Sequence, residues 1–355
     1  MMSCTIQPAS RIGDLRPYTP PPRDPRIALS LDNNEGAPVD AAVFDLLSGL
    51  DSEVLRRYPD QTALEGQIAQ AYGVESERVV VTNGGDDAID RVCRALLNPG
   101  DVMLTHTPGF VMIPRWAQLT GAVTRSISWL GDEFPKTAFL ESIDETVRLV
   151  ALISPCNPTG GVVPLEDIIE VAARCAQFGA VLMLDQAYVE FADEDPIERM
   201  LDLPNIVFIR TFSKAMGGAG LRVGYAIASE RIATWLRTVG GPYPVSSISL
   251  LLASALFEQR EGRQGSVQQT RINRAALIDW FRQSGAHVFD SQANFVLARF
   301  EDAGDMHQQL LDRGISVRRF RNGSEIDQYL RFSVPADESQ FNQLLDALGA
   351  IGECS

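Results

Sequence analysis

Lysine is almost missing from this chain, since Lys136 and Lys214 are the only two among 31 basic side chains. Arginine supplies positive charge equally well, but its guanidinium stays protonated and cannot act as an amine nucleophile. Lys136 lies in a polar turn, where a solvated surface role is expected, whereas Lys214 follows shortly after an apolar run. Any amine chemistry in this protein is therefore expected at Lys214.

The chain also lacks an excess of positive charge. It has 46 acidic side chains against 31 basic ones, which gives a formal net charge of -15. Such a surface repels nucleic-acid phosphates and anionic lipid, so neither nucleic acid nor a membrane is an expected partner. An anionic substrate can still bind, but only in a locally basic pocket.

The sequence has neither paired cysteines nor clustered histidines. Its five cysteines include no C-x-x-C pair, and its three histidines show no metal-ligand spacing, so we expect reduced thiols and no metal ion. No stretch of ~18 uncharged apolar residues is present, and the N-terminus has no apolar core for a signal peptide. A cytoplasmic location is therefore expected. The cysteines are Cys4, Cys93, Cys156, Cys175 and Cys354.

Apolar runs alternate with amphipathic stretches from about residue 40, which is typical of an α/β fold with a mostly parallel sheet covered by helices on both faces. The predicted strands of this sheet are Arg78–Thr82, Asp101–Thr105, Leu149–Ser154, Val181–Asp185, Ile206–Thr211 and Val223–Ala228. After a helix at Val245–Arg260, a second, smaller α/β domain is predicted from strands at Ala286–Phe289, Phe295–Phe300, Ile315–Phe320 and Tyr329–Val334. We predict an N-terminal arm at 1–35 that belongs to the small domain, a large domain at 36–258 and the small domain at 259–355.

Polar residues follow several of the predicted strands at the point where each strand ends. Asn157, Asp185 and Lys214 are spaced roughly 30 residues apart, about the length of one βαβ step. Because ligands bind beyond the carboxyl ends of parallel strands, we expect these three side chains to converge there.

These residue types suit pyridoxal phosphate. Lys214 can bind its aldehyde as a Schiff base, and a buried carboxylate such as Asp185 would keep its ring nitrogen protonated. Asn157 and Tyr188 can donate to its phenolate oxygen, and Phe110 can stack on the ring. Its phosphate needs helix N-terminal N–H groups, hydroxyls and a cation, for which the candidates are Gly84, Gly85, Thr211, Ser213 and Arg222.

Short motifs support this interpretation along almost the whole chain. They are Arg16-Pro-Tyr18, Asn33-Asn-Glu35, Arg57-Tyr-Pro-Asp60, Asn83-Gly-Gly-Asp86, Asn157-Pro-Thr-Gly160, Asp185-Gln-Ala-Tyr188, Ser213-Lys-Ala215, Gly220-Leu-Arg222, Ala293-Asn-Phe295 and Leu330-Arg-Phe-Ser333. With these motifs the chain resembles the fold-type-I pyridoxal-phosphate enzymes of the class I/II aminotransferases, and within them the histidinol-phosphate aminotransferases.

The resemblance implies transamination between an amino donor and a 2-oxo acid acceptor, with Lys214, Asp185 and Tyr188 as catalytic residues. It adds Asp86 to the cofactor site, and Tyr58 to the phosphate site of the neighbouring subunit, which implies a homodimer. It implies that Arg331 grips the substrate carboxylate. Further substrate-site residues by this resemblance are Arg318 beside Arg331, Tyr18, which helps to close the site, and Asn34.

Four departures from the family pattern leave the amino donor open between histidinol phosphate, as in histidine biosynthesis, and another amino acid. Gln186 stands where Glu is usual, Phe110 where Tyr is more common, and Gly85 where Ser or Ala is usual. The segment Tyr243-Pro-Val-Ser246 lacks the expected asparagines. We expect all four to line or approach the substrate pocket.

Three other functions remain open at this point. A lyase of the same fold, similar to threonine-phosphate decarboxylase, would use the same cofactor residues, although Asn33-Asn-Glu35 resembles the aminotransferases more closely. A non-catalytic pyridoxal-phosphate-binding regulator is less favoured because no DNA-binding module precedes this domain and the chain is acidic. An oxidoreductase with a dinucleotide at Gly84 and Gly85 would lack the expected third glycine and leaves Lys214 without a role.

Overall fold

The computed structural model describes residues 7–13, 15–19 and 24–352, and their strands form two sheets. The larger sheet has seven strands in the order β2-β8-β7-β6-β5-β3-β4, and the smaller has four in the order β1-β10-β11-β9. The strands are β1 (Leu29–Leu31), β2 (Val79–Thr82), β3 (Val102–Thr107), β4 (Val123–Ser128), β5 (Val147–Ile153), β6 (Val181–Asp185), β7 (Ile206–Thr211), β8 (Gly224–Ala228), β9 (Phe295–Arg299), β10 (Ile315–Arg319) and β11 (Tyr329–Ser333).

Helices connect most of these strands. They are α1 (Asp45–Ser48), α2 (Glu53–Arg56), α3 (Thr62–Tyr72), α4 (Gly84–Leu96), α5 (Met112–Thr120), α6 (Lys136–Ser142), α7 (Leu165–Gln177), α8 (Glu230–Val239), α9 (Ser247–Glu258), α10 (Gln264–Gln283), α11 (Ala303–Asp312) and α12 (Glu338–Gly352). The helix expected at Val245–Arg260 corresponds to α9.

The large sheet is mostly parallel, as predicted. Strands β4, β3, β5, β6 and β7 run parallel to one another, whereas β8 is antiparallel to both of its neighbours, β2 and β7. A parallel return needs a crossover, usually through a helix. The segment between β7 and β8 carries Lys214 and only a short 3-10 turn at Ala219–Leu221, so β8 runs back beside β7.

Alternate residues of the central strands pack into two different cores, one on each face of the sheet. In β5, Leu149, Ala151 and Ile153 belong to one core and Val150 and Leu152 to the other, and all are buried. Each fully buried Leu or Ile side chain contributes about 1.5–3 kcal/mol to folding. The prediction of a sheet covered on both faces is therefore confirmed.

Strand β4 is absent from the sequence-based prediction because it lies at the sheet edge and pairs only with β3. Its residues are exposed or half-buried and form no continuous apolar run.

The small sheet combines the C-terminal strands with one strand from the N-terminal arm. Strand β1 pairs in parallel with β10, with Leu29 opposite Ile315, which supports assigning the arm to the small domain. The predicted strand at Ala286–Phe289 forms only an isolated bridge between Val288 and Ala298. The domain boundaries near residues 35 and 258 stay a prediction.

The described cysteines, Cys93, Cys156 and Cys175, are buried and free, whereas Cys4 and Cys354 lie outside the described residues. Burial raises the pKa of the Cys93 and Cys175 thiols to about 12 and that of Cys156 to about 11. Among the residues that the structure describes, no group of three or more metal-ligating side chains comes together. In the same residues, no helix has both the length and the apolar character to span a membrane.

Candidate active site

Strands β5, β6 and β7 end at the same edge of the large sheet, and the side chains that follow them open onto one cavity of about 190 Å³. The convergence of Asn157, Asp185 and Lys214 expected from their spacing is therefore found. Of the residues proposed for the cofactor, the cavity is lined by Gly85, Asp86, Phe110, Asn157, Asp185, Tyr188, Thr211, Ser213, Lys214 and Arg222.

Lys214 stands between this cavity and a second one on the substrate side. Its Nζ donates to the backbone oxygen of Asn33 at 2.9 Å and lies 5.6 Å from the centre of the Tyr188 ring. The N-terminal segment passes so close that a Cβ on Gly36 would lie 1.8 Å from the Lys214 backbone oxygen. Only glycine fits there, so the segment that carries Asn33 and Gly36 packs directly against the Lys214 backbone.

Asp185 is buried at the floor of the first cavity. Its Oδ1 accepts a hydrogen bond from the Ala187 N–H at 3.0 Å, and Oδ2 has no hydrogen-bond donor among the described residues. The pKa of Asp185 is raised to about 7, mainly by burial and also by the charge of Asp86, while the Ala187 N–H and Lys214 oppose the rise. A cationic N–H donor placed against Oδ2 would satisfy this carboxylate.

The opposite end of the cavity suits a phosphate. Helix α4 begins there at Gly84, where φ is +81° and an added Cβ would lie 2.6 Å from Arg222 Nη2. The Thr211 hydroxyl donates to Ser213 Oγ at 2.9 Å, and Arg222 Nη1 reaches the same oxygen at 3.5 Å. N–H groups at a helix N-terminus, two hydroxyls and a guanidinium form a typical anion site.

Within the described part of the chain, the buried Asp86 Oδ1 has no hydrogen-bond partner, and Oδ2 lies 3.5 Å from Arg222 Nη2. This pairing offsets part of the guanidinium charge at the phosphate end of the cavity.

Asn157 links the cofactor cavity to the small sheet. Its Nδ2 and that of Asn34 point to the Tyr188 hydroxyl at 3.5 and 3.1 Å. Its Oδ1 accepts a hydrogen bond from Arg331 Nη1 at 2.6 Å. Arg331 Nη2 donates to the Asp32 backbone oxygen at 2.7 Å, and its buried Nε has no partner among the residues that the structure describes. Burial lowers the pKa of Arg331 to about 10, so it remains a cation at neutral pH.

A second cavity of about 330 Å³ adjoins the first and shares Asn157, Tyr188, Phe110 and Lys214 with it. It contains the predicted substrate-site residues Tyr18, Asn34, Arg318 and Arg331. It also contains residues that were not among the predicted site residues. Thr107 ends β3, and the others follow no strand of the large sheet: Asp32, Asn33, Arg321, Ser324 and Glu325. The Thr107 hydroxyl donates to Glu325 at 2.6 Å, which joins the large sheet to the loop between β10 and β11.

Tyr58 lies apart from both cavities of its own chain. It is 80% exposed and stacks on Tyr243, with ring centres 4.4 Å apart and planes 11° apart. This position leaves the proposed role in a neighbouring subunit's site as a prediction.

Gln186 lines neither of these cavities, so the expectation that it lines or approaches the substrate pocket is wrong. It accepts hydrogen bonds from Arg210 Nε and Nη2 at 3.1 and 2.9 Å on the far side of β6. Arg210 is buried and takes its counter-charge from Asp195 at 2.7 Å. A neutral residue can therefore occupy position 186.

The residues present fit pyridoxal phosphate: an amine, a buried carboxylate without a cationic partner, amide and phenol groups between them, and an anion site at the remaining end. Phe110 and Ile209 supply apolar walls for a ring.

Comparison with known proteins agrees with this geometry. Residues 25–348 match the family model described as aminotransferase class I and II. The histidinol-phosphate aminotransferase of Thermoanaerobacter sp. (strain X514) is 34% identical over 292 residues, covering 79% of this chain and 81% of that protein. Histidinol-phosphate aminotransferase 1 of Carboxydothermus hydrogenoformans is 32% identical over 348 residues, covering 95% and 96%.

Solved structures share the fold. The histidinol-phosphate aminotransferase of Sinorhizobium meliloti, in complex with pyridoxal-5'-phosphate, superposes with a TM-score of 0.82 at 23% identity over 92% of both chains. The aspartate aminotransferase of Thermus thermophilus with maleate gives 0.77 at 19% identity, also over 92% of both chains. With the family model matching most of its length, this chain belongs to the class I and II aminotransferases.

Proposed function

We propose that this aminotransferase binds pyridoxal phosphate at Lys214 and exchanges an amino group between histidinol phosphate and 2-oxoglutarate, as a cytoplasmic homodimer in histidine biosynthesis. The observation that carries the proposal is the position of Lys214 Nζ between the two cavities, with Asp185 on one side and Arg331 on the other. The names of the relatives support the choice of donor.

When bound, pyridoxal phosphate supplies a carbonyl carbon that combines with amines and a ring that withdraws electrons from the substrate α-carbon. Lys214 Nζ would hold the cofactor through its carbonyl carbon and, as a free amine, would accept and return the proton of the substrate α-carbon. Its hydrogen bond to the Asn33 oxygen keeps it at the junction of the two cavities.

Asp185 would keep a proton on the ring nitrogen, because its Oδ2 is free to accept that N–H and its buried charge needs a cation. Asn157 and Tyr188 would orient the ring through its phenolate oxygen. The phosphate would be held by the N-terminus of α4 with Thr211, Ser213 and Arg222, and Asp86 lies beside them.

Arginines bind the anionic substrate groups in a protein whose net charge is -15. Arg318 lies opposite Arg331 on neighbouring strands, and Arg321 follows on the adjoining loop of the same cavity. A guanidinium is a planar fork whose N–H groups can bond to two oxygens of one carboxylate or phosphate, which a lysine ammonium cannot imitate. A lyase would use the same cofactor residues, and the two activities differ in whether the amino group reaches a 2-oxo acid.

Stopped-flow absorbance of each half-reaction tests the substrate assignment. The donors are histidinol phosphate and plain amino acids, and the acceptor is 2-oxoglutarate. Arg331→Lys is expected to lower the second-order rate constants of both half-reactions. The expected loss is about 1.5–3 kcal/mol, because a bidentate charged contact is replaced by a point charge. Arg318→Lys is expected to slow the phosphorylated donor more than a plain amino acid.

Arg319→Lys is the matched control. Arg319 neighbours Arg318 on β10, but it donates to Asn322 and does not line the substrate-side cavity. The half-reaction rates of Arg319→Lys should therefore equal those of wild type. Unchanged rates in Arg331→Lys would remove Arg331 from the substrate site. Equal losses for both donor types in Arg318→Lys would leave no reason to prefer histidinol phosphate over an ordinary amino acid. Release of carbon dioxide without amination of 2-oxoglutarate would favour a lyase.

Complementation between inactive variants tests the homodimer. If Tyr58 completes the neighbouring subunit's phosphate site, mixing Tyr58→Ala with Lys214→Ala creates hybrids in which one site carries both lesions and the other carries none. Activity per hybrid dimer is expected to recover toward about half of wild type, measured after subunit exchange shown by mass spectrometry. The stoichiometric reason is that one of the two sites in each hybrid is complete.

The control mixture is Asp185→Asn with Lys214→Ala. Both residues lie in the cavity of their own chain, so every site in a hybrid keeps one lesion and no activity should return. Proven exchange without recovery in the Tyr58 mixture would place Tyr58 in its own subunit's site or outside any site.

A further inference from the structure

The geometry points to His106 as a positioning residue that fixes two loops of the active site relative to each other, the loop carrying Phe110 and the loop carrying Asn157. This inference rests on the proposed function only in taking the first cavity as the cofactor site. His106 lies near the end of β3, is 3% exposed and lines neither active-site cavity. It therefore acts through other residues and not by touching cofactor or substrate.

Both ring nitrogens of His106 bond to backbone groups of different loops. The Ile153 N–H lies 3.2 Å from Nε2, and the Pro108 oxygen lies 3.0 Å from Nδ1. A backbone N–H can only donate and a carbonyl can only accept, so Nε2 is the acceptor and Nδ1 carries the proton. This tautomer is set by the partners themselves.

The protonation state agrees with this assignment. Burial lowers the pKa of His106 to about 4, with the bond to the Pro108 oxygen opposing the shift. The imidazole is therefore neutral at neutral pH, and Nε2 keeps the lone pair that accepts from Ile153.

The two backbone groups bonded to His106 belong to residues that are close in sequence to active-site side chains. Pro108 precedes Phe110 by two positions, and Ile153 ends β5 just before the turn that carries Asn157. Ile153 and Phe110 themselves line the cofactor cavity. One imidazole thus joins the apolar wall of the cavity to the loop that holds Asn157.

The packing around His106 leaves little freedom for either loop. A Cβ on Gly109 would lie 3.0 Å from the His106 backbone oxygen, so the chain folds tightly over this residue. The buried Trp129 ring contacts the imidazole edge-on with centres 5.1 Å apart. The Cys156 thiol, from the Asn157 loop, also reaches the Pro108 oxygen at 3.8 Å.

Replacing His106 by an apolar side chain would leave the Ile153 N–H buried without an acceptor, and the Pro108 oxygen with only a thiol donor. Unpaired buried backbone groups are costly, so the two loops would shift to find new partners. Phe110 and Asn157 would then move relative to Lys214 and Asp185. The expected consequence is weaker and less ordered cofactor binding.

Three substitutions separate the two hydrogen bonds. His106→Asn keeps a donor near the Nδ1 position, His106→Gln keeps an acceptor near the Nε2 position, and His106→Phe keeps a ring but loses both bonds. The dissociation constant for pyridoxal phosphate is measured on cofactor-free protein by quenching of tryptophan fluorescence, together with the absorption band of the bound cofactor. His106→Phe is expected to weaken binding about tenfold or more and to shift the band. Asn and Gln should each give a smaller loss.

A double-variant cycle tests whether the effect passes through the Phe110 loop. His106→Phe combined with Phe110→Leu is expected to weaken cofactor binding less than the product of the two single losses, because both changes disturb the same wall. His287→Phe is the control, since His287 is exposed and lies in the small domain. Its cofactor affinity should equal wild type.

The outcomes distinguish this inference from the proposed function. Failure of the wild-type protein to bind pyridoxal phosphate would overturn the proposed function. Wild-type binding with unchanged affinity and band in His106→Phe, even with a lowered melting temperature, would make His106 a merely structural residue. If the loss of cofactor affinity in the double variant equals the product of the two single losses, His106 does not act through Phe110. Should His106→Phe not fold, wild-type affinity and band in both His106→Asn and His106→Gln would overturn the inference.

Discussion

Replacing Lys214 with arginine is expected to abolish covalent cofactor attachment and to lower turnover by on the order of 10³-fold or more, the range of a lost proton-transfer group together with a lost nucleophile. Arginine keeps the positive charge at the junction of the two cavities but cannot form the bond or give up a proton. The loss therefore separates amine chemistry from electrostatics. The measurements are steady-state transamination and the absorption band of the bound cofactor.

Lys136→Arg is the matched control, because Lys136 is the one other lysine of the chain. Its ammonium pairs with Asp167 and Glu170 at 3.0 and 3.3 Å near the surface, and arginine can keep both contacts. Activity and absorbance should remain at wild-type values. A Lys214→Arg protein that keeps both the band and the activity would remove Lys214 from the chemistry.

Asp185→Asn is expected to lower turnover by about 10²–10³-fold, or about 3–4 kcal/mol in the barrier. By the proposed function the carboxylate charge would hold the proton on the ring nitrogen, and a neutral amide of the same shape would not. Stopped-flow rates of the half-reactions measure the loss. Turnover within a few-fold of wild type would show that Asp185 serves only to cap the turn through its bond to the Ala187 N–H.

The same substitution lowers turnover but is expected to raise the stability of the cofactor-free protein. The pKa of Asp185 is about 7 in the folded chain against an ordinary value of 3.8, because burial penalises the charge. At a pH between these two pKa values, Asp185 keeps its proton in the folded chain and loses it in the unfolded chain. The free energy of unfolding therefore falls as pH rises from about 4 to about 7. Asp185→Asn should remove this component and stabilise the cofactor-free protein at pH values above 7.

Urea unfolding of the cofactor-free proteins across this pH range measures the effect. Asp290→Asn is a suitable control, since Asp290 is an exposed partner of Arg282, and its pH profile should match wild type. An Asp185→Asn profile parallel to wild type would contradict a buried, protonated Asp185. Lower turnover together with higher stability is expected at an active site, where a buried charge that destabilises the fold is kept for function.

The sequence was sufficient to predict the cofactor end of the site because strand periodicity and connection length act together. Once Asn157, Asp185 and Lys214 were each assigned to the end of a parallel strand, a common edge followed from geometry alone. The orientation of β8 was not predictable in the same way, because an apolar run does not show whether the strand is parallel or antiparallel to its neighbour. It follows from the short connection through Lys214.

The substrate side was only partly predictable. Arg318 and Arg331 face the cavity because strand pairing sets them opposite each other, and this register was not visible in the sequence. The hydrogen bond from Thr107 to Glu325 joins positions far apart in the chain, with no local pattern to signal it. Gln186 was misplaced because its position was inferred only from its departure from the family pattern, whereas residues that follow one another along a strand point to opposite faces of the sheet.

Borohydride reduction of the cofactor-loaded protein, followed by peptide mapping with mass spectrometry, tests the central claim most directly. We expect the reduced pyridoxyl phosphate mass on the peptide that contains Lys214 and on no other. Label on the peptide that contains Lys136, or no label in a protein that retains bound cofactor, would contradict the assignment of Lys214 as the cofactor-binding residue.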